Sequence, residues 1–105
     1  MRRPHKFIDP ELAAKHVEYD PLTGTIRLLV ATPRLPVGHV FSPKYPNTYV
    51  SVSIAGVRYA AHRVAWVLMT GEQPNIVDHD NGIKHDNRWK NLNNGTHSDN
   101  SRNTV

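Results

Sequence analysis

The stretch "VDHDNGIKHDNRWKNL", Val77 to Leu92, decides how this chain is read. Aspartates, asparagines, histidines and basic residues crowd it, and it holds almost nothing to bury. A surface loop is polar at no cost, so composition alone makes it a loop and no more. The order of the residues says more than the composition. Ile76 and Val77 are β-branched and feed the pair Asp78-His79, and Asn81-Gly82 then marks a turn. A short strand alternates its side chains between two faces, so Asp78 and His79 diverge. Farther on, Asn87 and Asn91 are amides that donate and accept at once, able to tie backbone to backbone where no sheet ladder exists. Trp89 and Leu92 pin the segment to the body of the protein.

Working outward, the segment before it supplies the scaffold. "HRVAWVLMTG" places Val64, Val67 and Leu68 at helical spacing, with Gly71 where a C-terminal cap belongs and Pro74 shortly after. Upstream, "YVSVSIAGVRYAAH" alternates Val50, Val52 and Ile54 with Ser51 and Ser53. Its Ala55-Gly56 pair stands at a hairpin turn before Val57 to Ala61 return. The helix is expected to pack on the apolar face of that hairpin. Thr25 to Val30 is a strand candidate, entered through the turn-rich "YDPLTG", Tyr19 to Gly24. The proline-rich run from Thr32 to Val37 is a loop, and Val40 to Ser42 a brief edge strand closed off by Pro43 and Pro46. Asp9, Pro10 and Glu11 read as an N-cap, a first-turn proline and a first-turn acid, opening a helix through about Val17 as a lid on the sheet. Downstream, Thr96 with Asp99 resembles a capping box, so a helix is expected to start at Thr96 and carry Asn100 and Asn103.

At 105 residues the chain fits one small domain, of a size that buries about 60–70% of its unfolded surface. The hydrophobic fraction, 38%, is low, and many apolar residues fall between Val17 and Leu68. There are 0 cysteines, hence no disulfide framework and no cysteine zinc site, which fits a reducing cytoplasm. "MRRPHKF" is basic, but no continuous apolar run follows it, so no signal peptide is read, and no run is long enough to cross a bilayer. A formal net charge of +4 favours an anionic partner, since a positive surface attracts polyanions and releases their counterions.

Phosphodiester hydrolysis needs a hard cation at the phosphate and the leaving oxygen, and a base for a water opposite that oxygen. Hard cations want oxygen ligands, and Mg²⁺ takes few from the protein while keeping several waters. Asp78 and His79, diverging from one strand, suit those two tasks. The Asn100 amide can supply a second oxygen if the Thr96 helix packs across the strand. The loop between must be rigid, or the ligands would be misplaced.

These residues carry a resemblance. "AHRVAWVLMTGEQPNIVDHDNGIKHDNRWKNL" followed by "THSDNSRN" resembles the HNH endonuclease family, in particular its cysteine-free phage and intron homing-endonuclease branch. The match runs from about Ala61 to Asn103, and "YDPLTGTIRLL" and the hairpin resemble the N-terminal part of such phage proteins. The ordered set D-H, N-G, D-N-R, N-L and S-x-N-S-R-N is specific, whereas any one of them is weak. The resemblance implies an α+β fold: a small N-terminal hairpin or sheet with helices, leading into a C-terminal ββα-metal finger. The chain is then a single domain, with 1–74 as sheet and helix scaffold and 75–105 as the finger. It implies that His79 is the general base and that Asp78 and Asn100 are the metal ligands, with His97 a lesser candidate ligand. Asn91, seconded by Asn87, orders the loop. Lys84, Arg88, Lys90, Arg102 and Arg63 stand where they could touch phosphates.

What the resemblance implies about function is a Mg²⁺-dependent DNA endonuclease, Mn²⁺ or another divalent ion being an alternative cofactor. Its partner is double-stranded DNA, with no membrane, and a homodimer is left open. The place of action is the cytoplasm, that of the host if a phage encodes it. Two departures favour an alternative, a catalytically inactive HNH scaffold that binds DNA or inhibits a nucleoprotein partner. Asn93, Asn94 and Gly95 replace the arginine and aliphatic residues usual in the second strand, which is expected to be shortened. The chain also stops at Val105, where relatives often continue into a DNA-binding module, so poor site selection is expected. A general RNA-binding protein is a third reading, weakened by the lack of recognisable aromatic stacking motifs.

Plainer readings stand beside each residue. Asp78-His79 without the downstream motif is a solvated pair. His62, just before a helix, reads better as a packed or capping residue than as a catalytic one, with facing a phosphate beside Arg63 as the alternative. His85, His97 and His79 do not have the spacing of HExxH or of a Cys/His finger. Asn87 and Asn91 serve equally as turn formers, and the basic residues as a solvated face.

Overall fold

Asp9 opens the first element as expected: its Oδ1 accepts from the amides of Glu11 at 3.0 Å and Leu12 at 3.4 Å, and Pro10 begins α1 (Pro10–His16). The computed structural model describes residues 6–74 and 76–94. The helix ends at His16, within one residue of the expected end, with Val17 as its C-cap. That residue turns into β1 (Val17–Tyr19), which pairs antiparallel with β2 (Ile26–Leu28) in the register Val17↔Leu28, Glu18↔Arg27, Tyr19↔Ile26. A two-residue edge strand, β3 (Val40–Phe41), completes this sheet against β2. β1 had no signal of its own. It is three residues long and follows a helix without a break, so only its partner across the sheet makes it a strand.

The expected hairpin is β4 (Ser51–Ile54) and β5 (Val57–Ala60), in the register Ser51↔Ala60 to Ile54↔Val57. Val52 and Ile54 are buried while Ser51 and Ser53 are exposed, the alternation of a half-buried strand. Both turn residues have positive φ, 51° at Ala55 and 80° at Gly56, as the favoured two-residue turn demands. Alanine pays for that conformation with a Cβ clash of roughly 1 kcal/mol, which asparagine tolerates better. Ala55→Asn is therefore expected to stabilise the protein by roughly 0.5–1 kcal/mol, seen as a higher urea midpoint at unchanged slope. A lower midpoint would show that the turn carries no such strain.

The hairpin delivers the chain directly into α2 (Ala61–Thr70), which ends at Gly71 in the left-handed region, φ 76°, its amide donating to Val67 O at 2.7 Å. Ala61, Val64 and Val67 join Ile8, Ala13, Val17, Ile26, Leu28, Val50, Val52 and Ile54 in the main core. Ala65, on another side of the same helix, meets Val77 and Leu92 in a smaller core flanked by Tyr19, Trp66 and Trp89. A helix apolar on more than one stripe is a shared wall, and α2 is one: the scaffold on one side, the polar segment on the other. α1 packs on α2 as well as on β1 and β4.

The last sheet is β6 (Val77–His79) and β7 (Leu92–Asn94), antiparallel, with Val77↔Asn94, Asp78↔Asn93 and His79↔Leu92. Asn93 and Asn94 pair with β6 through their backbone, and Gly95, the third residue of the expected departure, lies outside the described residues. The molecule is α+β, with two helices and three small antiparallel sheets among the described residues. The helix expected from Thr96 lies outside the described residues.

Candidate active site

β6 places the two candidate residues as its period requires. His79 lies on the face of Val77 and of its partner Leu92, toward α2, and Asp78 on the other face. Both are half-buried. The His79 imidazole Nε2 is 2.8 Å from Asn87 Oδ1, and Asn87 is 2% exposed. An amide oxygen only accepts, so this contact puts the ring hydrogen on Nε2 and leaves the Nδ1 lone pair of the neutral ring available. Around the ring stand His62 of α2, edge-on with centroids 5.0 Å apart, and Tyr49 at 6.0 Å. Tyr49 also lies 5.3 Å from the His62 ring and has the Lys84 ammonium 5.3 Å from its centroid.

The loop from Asp80 to Asn91 has no ladder and is held by side chains. Asn91, 5% exposed, accepts from the Asn81 amide at 3.1 Å. It donates through Nδ2 to Asn81 Oδ1 at 3.0 Å and to the Asp86 carbonyl at 2.9 Å. Its own carbonyl accepts from the Asp80 amide at 2.8 Å. One amide thus ties both arms of the loop together. The Lys84 amide donates to Asn47 Oδ1 at 3.0 Å, joining the loop to the segment before β4.

Asp86 and Arg88 form a fork: Nε to Oδ1 at 2.8 Å and Nη2 to Oδ2 at 2.7 Å. These bonds hold the Asp86 carboxyl well below the usual carboxylate range. Burial opposes them and a bond from Asn81 adds to them. Because the shift is downward, this carboxylate's stabilising effect is complete above the ordinary carboxylate range and fades as pH falls toward the depressed value.

The expected nucleic-acid contacts divide. Lys84 and Lys90 are exposed. Arg88 is partly exposed, with two of its donors engaged by Asp86. Arg63 is 8% exposed and its Nη2 donates to the Pro74 carbonyl at 2.9 Å, which fastens the chain after the helix. Asn100, His97 and Arg102 lie outside the described residues.

Residues 59–102 match the family model described as HNH endonuclease. This segment, less than half of the chain, is similar to HNH endonucleases. Comparison with curated proteins and with solved structures returned no match. The HNH segment begins at Tyr59, so it takes in the end of β5 and all of α2 as well as the β6–β7 hairpin. α2 is therefore part of the nuclease-type domain as well as of the scaffold. HNH nucleases typically use divalent metal ions. Among the described residues no three His, Cys, Asp or Glu side chains gather to hold a metal. Asp78 offers carboxylate oxygens, and a hard cation that keeps its waters needs only one or two such ligands. The donor chemistry of Asp78 fits that kind of ion.

Tyr49 and His62 border His79 with no signal in the sequence that makes them its neighbours. Tyr49 sits outside the motif, and no spacing in the sequence announces that the chain before β4 folds back over β6.

Proposed function

We propose that the protein is a divalent-metal-dependent endonuclease that hydrolyses phosphodiester bonds in double-stranded DNA, with Mg²⁺ or Mn²⁺ as cofactor. The observation that carries this reading is the His79–Asn87 contact: a half-buried imidazole fixed through one nitrogen, with a carboxylate on the opposite face of the same strand. His79 Nδ1 removes a proton from water, and the water oxygen bonds to phosphorus. The bond from phosphorus to the 3′ oxygen then breaks, leaving a 5′ phosphate and, after protonation, a 3′ hydroxyl. A divalent ion held by Asp78 and Asn100 would neutralise charge on the phosphate and the departing oxygen. Lys84, Lys90 and, beyond the described residues, Arg102 supply positive charge to the DNA backbone, while Asn91 keeps the loop in shape. The setting is the cytoplasm, of a host cell if a phage encodes the protein.

Supercoiled plasmid incubated with the protein tests the reading. Nicking that requires added Mg²⁺ and stops with chelator is expected. Asp78→Ala is expected to abolish that dependence together with the heat of Mg²⁺ binding in calorimetry. Salt-sensitive retention of duplex DNA with no nicking at any divalent ion would replace the proposal by the inactive binding module.

A further inference from the structure

Three residues of the loop, Asn87, Arg88 and Trp89, are seated on the turn between β1 and β2. The Trp89 amide donates to the Pro21 carbonyl at 2.9 Å. The Tyr19 hydroxyl donates to the Asn87 carbonyl. Gly24, with φ +81°, lies so close that a Cβ there would be 2.5 Å from both the Arg88 nitrogen and the Asn87 carbonyl carbon. The turn itself is braced: the Asp20 amide donates to the Thr25 carbonyl at 2.9 Å, the Gly24 amide to the Asp20 carbonyl at 2.7 Å, and the Leu22 amide to Asp20 Oδ1 at 2.9 Å. Burial, with the charges of Asp20 and Asp86 added, pushes the Tyr19 phenol up, so it remains a donor through any ordinary pH.

Asn91 ties Asn81, on the first arm of the loop, to the Asp86 carbonyl. The Asn87 peptide that follows takes its position from the turn. The side chain of that same Asn87 holds His79 Nε2. We propose that the Tyr19–Gly24 turn is a clamp that positions the base of the site, Tyr19 and Gly24 fixing the Asn87 main chain so that the Asn87 amide sets the orientation and tautomer of His79. Tyr19 and Gly24 are positioning residues: they act through Asn87 and touch no reacting atom. The clamp explains why a turn so far from the HNH segment in sequence carries a glycine without room for a Cβ. It rests on the reading of His79 as a base, but its first readout does not require catalysis.

That readout is the ring nitrogen spectrum of the full chain labelled with ¹⁵N-histidine, with His79 assigned by its loss in His79→Ala. The intact protein is expected to show His79 with its hydrogen on Nε2. Tyr19→Phe, which keeps the ring, and Gly24→Ala are each expected to populate the Nδ1-H form and to slow Mg²⁺-dependent nicking by roughly 10-fold or more, as small misplacements of a reacting group do. In an Asn87→Ala background, Tyr19→Phe is expected to add nothing, since the path it acts through is gone. The clamp is overturned if folded Tyr19→Phe keeps the parent tautomer, if its effect persists in full without the Asn87 side chain, or if it unfolds the chain outright, because a general packing role would then suffice. Gly24→Ala that fails to fold leaves the decision to Tyr19→Phe. A parent protein that never nicks DNA would end the nuclease reading, and the tautomer spectra would still decide the clamp.

Discussion

His79→Ala is expected to lower plasmid nicking by roughly 10²- to 10⁴-fold, the usual cost of removing a positioned general base. The structure favours a clean loss over a general collapse. His79 is half-buried at the end of β6, and its packing partners are rim residues, His62 and Tyr49, so its removal opens no large cavity. Asn87 Oδ1 loses its partner, so a stability cost of about 1 kcal/mol is expected, and the rate loss is to be read at temperatures where circular dichroism shows the variant folded. His79→Gly supplemented with free imidazole adds a second check, because a small base diffusing into the vacated space should recover part of the rate. Undiminished cleavage by His79→Ala would remove the imidazole from the chemistry.

The second large effect is on stability. Asn91→Ala is expected to cost about 2–3 kcal/mol, since it strands the Asn81 amide and the Asp86 carbonyl, and buried groups left unpaired cost about 1–3 kcal/mol each. In a domain of this size that lowers the melting temperature by roughly 10 °C or more. Asn81 is itself exposed and water can reach it, which keeps the estimate below the full cost of two buried groups. Nicking should fall as well at temperatures where the protein is still folded, because an untied loop no longer carries Asn87 to His79. A melting temperature that stays at the parent value would show that the loop is held by Trp89 and Leu92 alone.

The two experiments probe different links. His79→Ala asks what the ring does, whereas Asn91→Ala asks how a loop without a ladder keeps the ring in place. A polar loop can be rigid when its amides are buried and hydrogen-bonded, as Asn87 is to His79 and Asn91 is to Asn81 and Asp86. That is also the answer to why so much of a small chain is spent on asparagine and aspartate between Val77 and Leu92.

The sequence by itself determined the local elements and the resemblance to HNH endonucleases. Asp9-Pro10-Glu11 marks a helix start, Ala55-Gly56 a hairpin turn and Gly71 a helix stop, and each is decided by backbone sterics and hydrogen bonds within a few residues. The order of D-H, D-N-R and N-L likewise named the HNH segment. Only the tertiary structure decided what lies beyond that range. It made Val17–Tyr19 a strand, turned Arg63 inward to Pro74, brought Tyr49 and His62 beside His79, and set Gly24 against the Asn87–Arg88 peptide. The reason is that these are contacts between segments distant in the chain. Their energy comes from strand pairing, side-chain packing and single hydrogen bonds between those segments, and none of these leaves a period or a spacing in the sequence to be read.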